Sequence, residues 1–242
     1  MGSDEFRFKR FTVRQDGAAM KVGTDGVVLG AWCPLENGPR KVLDIGTGTG
    51  LLALMISQRC EAWGCCVDAV EIDHGSCVQA KVNFEASPWS ANIHAYCSGI
   101  QDFITDGKGY DLVISNPPYF ENSLQSPDDG RTMARHTAGL SFPELIGYAE
   151  ANLTESGAFA VIIPCAAVEK FCRLAEERGL RLNRRLDIFP NSALPAKRSA
   201  LFLKRTYPAG PWTPEHLIIE DGGRHQYSDG YIDMTRDFYL KF

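Results

Sequence analysis

The sequence predicts an α/β fold with a mostly parallel, seven-stranded sheet flanked by helices. Strand-like and helix-like stretches alternate from Val42 to Lys204, the pattern of a parallel sheet covered on both faces. The strand stretches, such as Ala160-Val161-Ile162-Ile163, are apolar without alternation, as strands buried on both sides require. A chain of 242 residues also suits a single α/β domain with enough core to fold alone.

Phe6, Phe8 and Phe11 alternate with basic residues and read as a half-buried strand. Thr24 or Asp25 is placed to cap a helix starting at Gly26. The seven strands are expected at 42–45, 67–71, 92–96, 112–115, 158–163, 182–189 and 199–204. Helices are expected at 51–59, 76–86, 142–152 and 168–178, with Asp73 capping the second. Beyond Trp212, a short strand at 217–219 and a final helix near 232–240 complete the chain. The Gly-, Pro- and Asp-containing stretch from Glu121 to Gly139 is the longest expected loop, in the place of a lid or substrate grip.

The net charge of -5 gives no global nucleic-acid signature, although a local basic face suffices to hold phosphates. No apolar run has membrane-spanning length and no signal stretch opens the chain, so a cytoplasmic, non-membrane protein is expected. The eight cysteines form no C-x-x-C pair and the five histidines no ligand spacing. Free, mostly buried thiols and no metal are the expectation, and a monomer.

Two motifs carry chemistry. Val42-Leu43-Asp44-Ile45-Gly46-Thr47-Gly48-Thr49-Gly50 is an apolar strand that runs into a glycine turn and then a helix. Glycines there permit positive φ and let a ligand approach the backbone. The turn is not G-x-G-x-x-G, and Asp44 stands before it, a charge that suits an ammonium group better than a pyrophosphate. Glu71 ends the next strand, where a carboxylate can accept both ribose hydroxyls or simply sit solvated.

Leu112-Val113-Ile114-Ser115-Asn116-Pro117-Pro118-Tyr119 is a second apolar strand ending in Asn-Pro-Pro-Tyr. The lone pair of an aromatic exocyclic amine is delocalised into its ring. Accepting both of its N–H groups, at the Asn116 side-chain oxygen and the Pro117 carbonyl, pulls the nitrogen towards a tetrahedral, nucleophilic shape. The prolines stiffen that loop, and Tyr119 offers a ring for the base to stack on. Both motifs fall at carboxyl ends of strands, where open α/β sheets bind ligands. The pairing points to methyl transfer from S-adenosylmethionine onto a planar, conjugated NH2 group.

These residues resemble the class I, Rossmann-like S-adenosylmethionine-dependent methyltransferases of the N-P-P-Y type. The wider set Met20–Gly26, Leu29-Gly30-Ala31-Trp32, Leu43–Gly46, Gly50–Met55, Ser87-Pro88-Trp89 and Ile114–Tyr119 resembles, within them, the bacterial tRNA adenine N6-methyltransferases that modify adenine-37 of a valine tRNA. The resemblance implies S-adenosyl-L-methionine as cofactor and tRNA as substrate, with Asn116, Pro117 and Tyr119 catalytic. It implies cofactor contacts at Lys21, Thr24, Asp44, Gly46, Gly48, Gly50, Glu71, Ile72, Ile100 and Asn116, with residues 1–30 capping the cofactor. Such enzymes often carry an acidic residue after the third strand for the adenine amine. Gly99 stands there instead, with Asp102 further along.

Basic groups at Arg7–Arg10, Arg131–His136, Arg181–Arg185 and Lys197–Arg198 are candidate phosphate contacts or ordinary solvated faces. A protein glutamine N5-methyltransferase uses the same acceptors on a planar amide. A nicotinamide-dependent oxidoreductase shares the fold but leaves Asn116–Tyr119 unexplained. A silent RNA-binding module leaves the glycine motif unexplained.

Overall fold

The computed structural model describes residues 4–16, 21–35, 38–103, 109–118, 140–208 and 210–242. Strands β1 (Glu5–Arg7) and β2 (Thr12–Arg14) form an antiparallel hairpin. Helix α1 (Thr24–Trp32) follows, then β3 (Lys41–Ile45), α2 (Leu51–Cys60), β4 (Cys66–Glu71), α3 (His74–Glu85) and β5 (Ile93–Cys97). The second half contains β6 (Tyr110–Ser115), α4 (Phe142–Asn152), β7 (Leu153–Pro164), α5 (Val168–Glu177), β8 (Arg181–Asn191), β9 (Arg198–Lys204), β10 (Glu215–Glu220) and α6 (Asp229–Thr235).

The main sheet has eight strands, not the expected seven, in the order β10-β8-β9-β7-β6-β3-β4-β5. The additional strand is the stretch expected as a short C-terminal piece. Leu217 is buried, and β10 pairs in parallel with β8 from Glu215↔Leu186 to Glu220↔Asn191. Only β9 runs antiparallel, between β7 and β8. Its return brings Arg198 level with Pro164 and Ile188, at the edge where the parallel strands end.

Strand side chains alternate between two apolar layers. Val42, Leu112 and Ala160 join the layer that includes α1 and α2, while Leu43, Val113 and Phe159 join the layer that includes α4 and α5. Phe8 and Phe11 are buried, and Phe8 bridges to Tyr239, so the N-terminal aromatic residues pack on the C-terminal end of the chain.

Side chains cap the starts of α3, α4 and α6, while α1, α2 and α5 begin without a side-chain cap. Asp73 accepts the Ser76 N–H as expected, and Ser141 with Glu144 forms a capping box at α4. Helix α6 starts earlier than expected, because the Ser228 hydroxyl accepts the Tyr231 N–H and fixes the first turn there. In α1, Gly23 is the N-cap without a side-chain bond, and Thr24 and Asp25 lie within the helix. Asp25 bonds instead to Arg198, at 2.9 Å, so a charge partner on β9 outcompetes local capping.

The expectation of entirely free thiols is corrected by a disulfide between Cys77 and Cys97. Helix α3 packs over β5, which brings two Cα atoms 20 residues apart in sequence to 5.5 Å. A search for short C-x-x-C spacing does not register such a pair. Cys33, Cys60 and Cys65 are free and buried, whereas Cys66 is exposed. Closing a loop of this size stabilises by roughly 3 kcal/mol. Oxidised Cys77→Ala should therefore unfold at lower denaturant than the parent, and reductant should shift the parent the same way. A midpoint indifferent to both changes would show that the bond adds nothing.

Candidate active site

The site starts from the turn between β3 and α2. Gly46 and Gly48 adopt φ of 71° and 58°, and a Cβ at either would meet no atom of the described residues within 4 Å. The left-handed backbone explains the glycines, and the open space beside them is the cradle a ligand requires. Gly50 shares the left-handed backbone, with φ of 88°, and adds a second reason: a Cβ there would lie 2.3 Å from Phe84, so α2 starts hard against α3. Gly50 caps α2 without a side-chain bond, leaving the first turn of that helix open.

Asp44 lies under this turn and is fully buried. Its Oδ2 accepts the Thr47 hydroxyl at 2.6 Å, while its Oδ1 has no hydrogen-bond partner among the described residues. Burial pushes the carboxyl up to about 7, opposed by the Thr47 and Ala53 hydrogen bonds and reinforced by the Glu71 charge. An unpartnered buried carboxylate oxygen beside an open glycine cradle is the complement of a ligand ammonium group. Thr47 was missed in the sequence, although a hydroxyl three residues after Asp44 was the available signal.

Glu71 is buried and joins the same turn. Its Oε2 accepts the Gly48 N–H at 2.9 Å and its Oε1 the Asp73 N–H at 2.8 Å. Each oxygen keeps a lone pair for a further donor. Ile72 beside it is 60% exposed, an apolar side chain at the sheet edge with nothing over it among the described residues. Ile100 is buried in the core. Gly99 caps the short turn Ile100–Asp102, and Asp102 is exposed.

The second motif meets the first through the ends of two strands. Ser115 donates its hydroxyl to the Ile45 carbonyl at 2.8 Å, which sets Asn116 beside Gly46. Asn116 is half-buried, Pro117 buried and Pro118 exposed. The start of α1 closes the third side. A Cβ on Gly26 would lie 3.6 Å from the Asn116 amide nitrogen and 2.9 Å from Leu51. Lys21 and Thr24, just before and within that first turn, are exposed. The structure thus brings together Asp44, Gly46, Gly48, Glu71 and Asn116, with α1 alongside. Tyr119, Met20, the loop 121–139 and its Arg131, Arg135 and His136 lie outside the described residues.

Apart from Lys197, the other described basic groups named from the sequence are held by internal partners. Arg7 pairs with Glu5, and Arg10 grips Glu61 through two bonds while lying over Trp89. Lys9 donates to the Arg236 and Phe242 carbonyls. Arg184 pairs with Glu215 and Arg185 with Asp187. Arg181, level with Leu112 across the sheet, faces Tyr207 at the far side from Asn116. No group of three or more potential metal ligands occurs among the described residues, and no described helix is long and apolar enough to cross a membrane.

A family described as Methyltransferase small domain matches residues 33–164. A protein of Bacteroides fragilis named tRNA1(Val) (adenine(37)-N6)-methyltransferase is 43% identical over 246 residues, covering 100% of both chains. One of the same name from Trichodesmium erythraeum is 44% identical over 243 residues, again across 100% of both. Among solved structures, a predicted O-methyltransferase from Agrobacterium tumefaciens matches with a TM-score of 0.66 at 18% identity, over 88% of this chain and 96% of that one. At that identity the likeness concerns the fold.

Proposed function

This chain belongs to the tRNA1(Val) (adenine(37)-N6)-methyltransferase family, and from that membership we infer that it methylates N6 of an adenine in tRNA, adenine-37 of a valine tRNA, using S-adenosylmethionine. The observation that carries the reading at the site is the Ser115–Ile45 bond. With Asn116 and Pro117 following directly beside the glycine turn, it supports reading them as the amine acceptors.

S-adenosylmethionine, when bound, supplies an electrophilic methyl group on a sulfonium. Asp44 Oδ1 is the residue atom suited to its ammonium, Glu71 to its ribose hydroxyls, and Gly46 and Gly48 leave room for it. The same reading gives cofactor contacts to Lys21 and Thr24 at the start of α1, to Ile72 after β4 and to the Ile100 backbone after β5. Asn116 and Pro117 accept the two N–H groups of the target adenine and hold its lone pair out of the ring. No strong base is needed first, because the amine proton becomes acidic only as the new bond forms. Tyr119 follows in sequence as the stacking surface.

A buried apolar cluster that runs from Phe8 to Phe238 supports reading 1–242 as one methyltransferase domain. We take the protein to be a cytoplasmic monomer. Mass spectrometry of tRNA nucleosides, with and without the protein, tests the function. Labelled cofactor offered in parallel to tRNA, release-factor protein and duplex DNA should label tRNA adenine. Label on glutamine would move the assignment to the N5-methyltransferase reading.

Glu71→Ala should weaken cofactor binding by about 1.5–3 kcal/mol, the scale of hydrogen bonds to a charged group. Calorimetry checks this, and full affinity would remove Glu71 from the site. Tyr119→Ala should raise the tRNA KM by the roughly 1–3 kcal/mol of one base stack, with Tyr119→Phe near normal. Equal loss in both variants would assign the hydroxyl, not the ring.

A further inference from the structure

The antiparallel return of β9 gives the carboxyl edge a feature that the cofactor site does not use. Beyond Asn116 this edge continues across β7, β9, β8 and β10. Lys197 and Arg198 stand there at the start of β9. Further along, β8 and β10 end side by side at the paired residues Asn191 and Glu220, and with the loops 192–193 and 222–224 beyond them they line an open depression of about 600 Å3. Four strand spacings separate β10 from β6, on the order of 19 Å, more than one nucleotide spans.

The chemistry of this strip fits an RNA strand. Arg198 is anchored to Asp25, but Lys197 and Arg224 are exposed and make no ion pair among the described residues. They are therefore free to meet phosphates. The Asn191 amide oxygen accepts the Ala193 N–H, which leaves its NH2 group and the Ser192 hydroxyl to bond base edges and ribose. Glu220 accepts the His225 N–H through one oxygen, which leaves the other for a base amine or a ribose hydroxyl. Leu194 is 43% exposed on the crest of the same loop and gives an apolar surface for a base face. Other basic groups, at Arg10, Arg184 and Arg185, are committed to carboxylates.

We propose that the RNA flanking the methylated adenosine runs from Asn116 over Lys197 into this depression, where a second, unstacked nucleotide binds against the loops 192–193 and 222–224. The proposal rests on the tRNA methyltransferase reading and adds to it the surface that selects the RNA.

The test uses the full chain with purified tRNA and with a short single-stranded oligonucleotide holding only the target adenosine and its immediate neighbours. Lys197→Glu and Arg224→Glu should each raise the tRNA KM about tenfold and make its log–log salt dependence shallower by about 1. Cofactor affinity, and turnover of the short oligonucleotide, should not change. Ala193→Trp fills the depression without altering charge and should raise the tRNA KM as well. If the wild-type protein methylates no tRNA, the functional reading falls. If it methylates tRNA and the charge variants keep the parental KM and salt slope, the strip is not the RNA path. If the charge variants respond but Ala193→Trp does not, the depression holds no nucleotide and the proposal is overturned. Unfolding curves matching the parent establish that each variant is folded.

Discussion

Replacing Asn116 by alanine should lower turnover by about 10²–10³, the cost of removing one preorganised polar contact at a reacting centre. Cofactor affinity should stay within twofold, on the order of 0.4 kcal/mol. The asymmetry follows from where the group acts. An adenine amine is nearly planar in the ground state and pyramidal only as the new bond forms. An acceptor that favours the pyramidal form therefore stabilises the transition state more than the bound substrate. The loss belongs in kcat, with little change in the tRNA KM. Ser115 holds its bond to Ile45 independently of the Asn116 side chain, so the strand end should survive the change. Single-turnover rates at saturating cofactor measure this directly. A near-parental rate would make Asn116 a structural residue and remove the amine-acceptor mechanism with it.

The parts of this molecule legible in its sequence are those where local chemistry decides the outcome. The strand at Lys41–Ile45, the glycine turn and the helix from Leu51 follow from apolar run, positive-φ requirement and helix propensity within a dozen residues. Asp73 announced its cap by its position before a helical run. What was not legible depends on partners distant in sequence. Asp25 looks like a cap because its natural competitor, Arg198, is 173 residues away. Glu215–Glu220 becomes a full strand only because β8 offers it a parallel edge. Cys77 and Cys97 join because a crossover helix must lie on its sheet, a fact of three-dimensional packing. The same division applies within the site. Asp44 and Glu71 could be singled out from their strand-end positions. That one carboxylate oxygen of Asp44 would be buried and unpartnered, while both oxygens of Glu71 hold backbone N–H groups, required the fold.

Asp44→Asn should weaken cofactor binding by two or more orders of magnitude and at the same time stabilise the free protein above pH 7. The two effects have one origin. Burial raises the Asp44 carboxyl from 3.8 to about 7 in the folded protein. A raised carboxyl favours the folded state at low pH, below its unfolded value. That contribution is lost progressively as pH rises through about 7, because the buried site then holds an uncompensated charge. The full swing is on the order of 4 kcal/mol. Asparagine carries no charge, so the variant should lack this decline and unfold later than the parent at pH 8. A ligand ammonium reverses the balance: it pairs with the ionised carboxylate, and losing one partner of a buried pair costs about 3–5 kcal/mol. Parental cofactor affinity should therefore rise between pH 5.5 and 7.5 as Asp44 ionises, with proton release on binding, and the rise should be absent in Asp44→Asn. Calorimetry in buffers of different ionisation enthalpy reads the proton, and thermal unfolding at pH 5.5 and 8 reads the stability. A parental affinity flat across this range, or a variant that binds cofactor as tightly as the parent, would show that Asp44 holds the turn through Thr47 and does not meet the cofactor's charge.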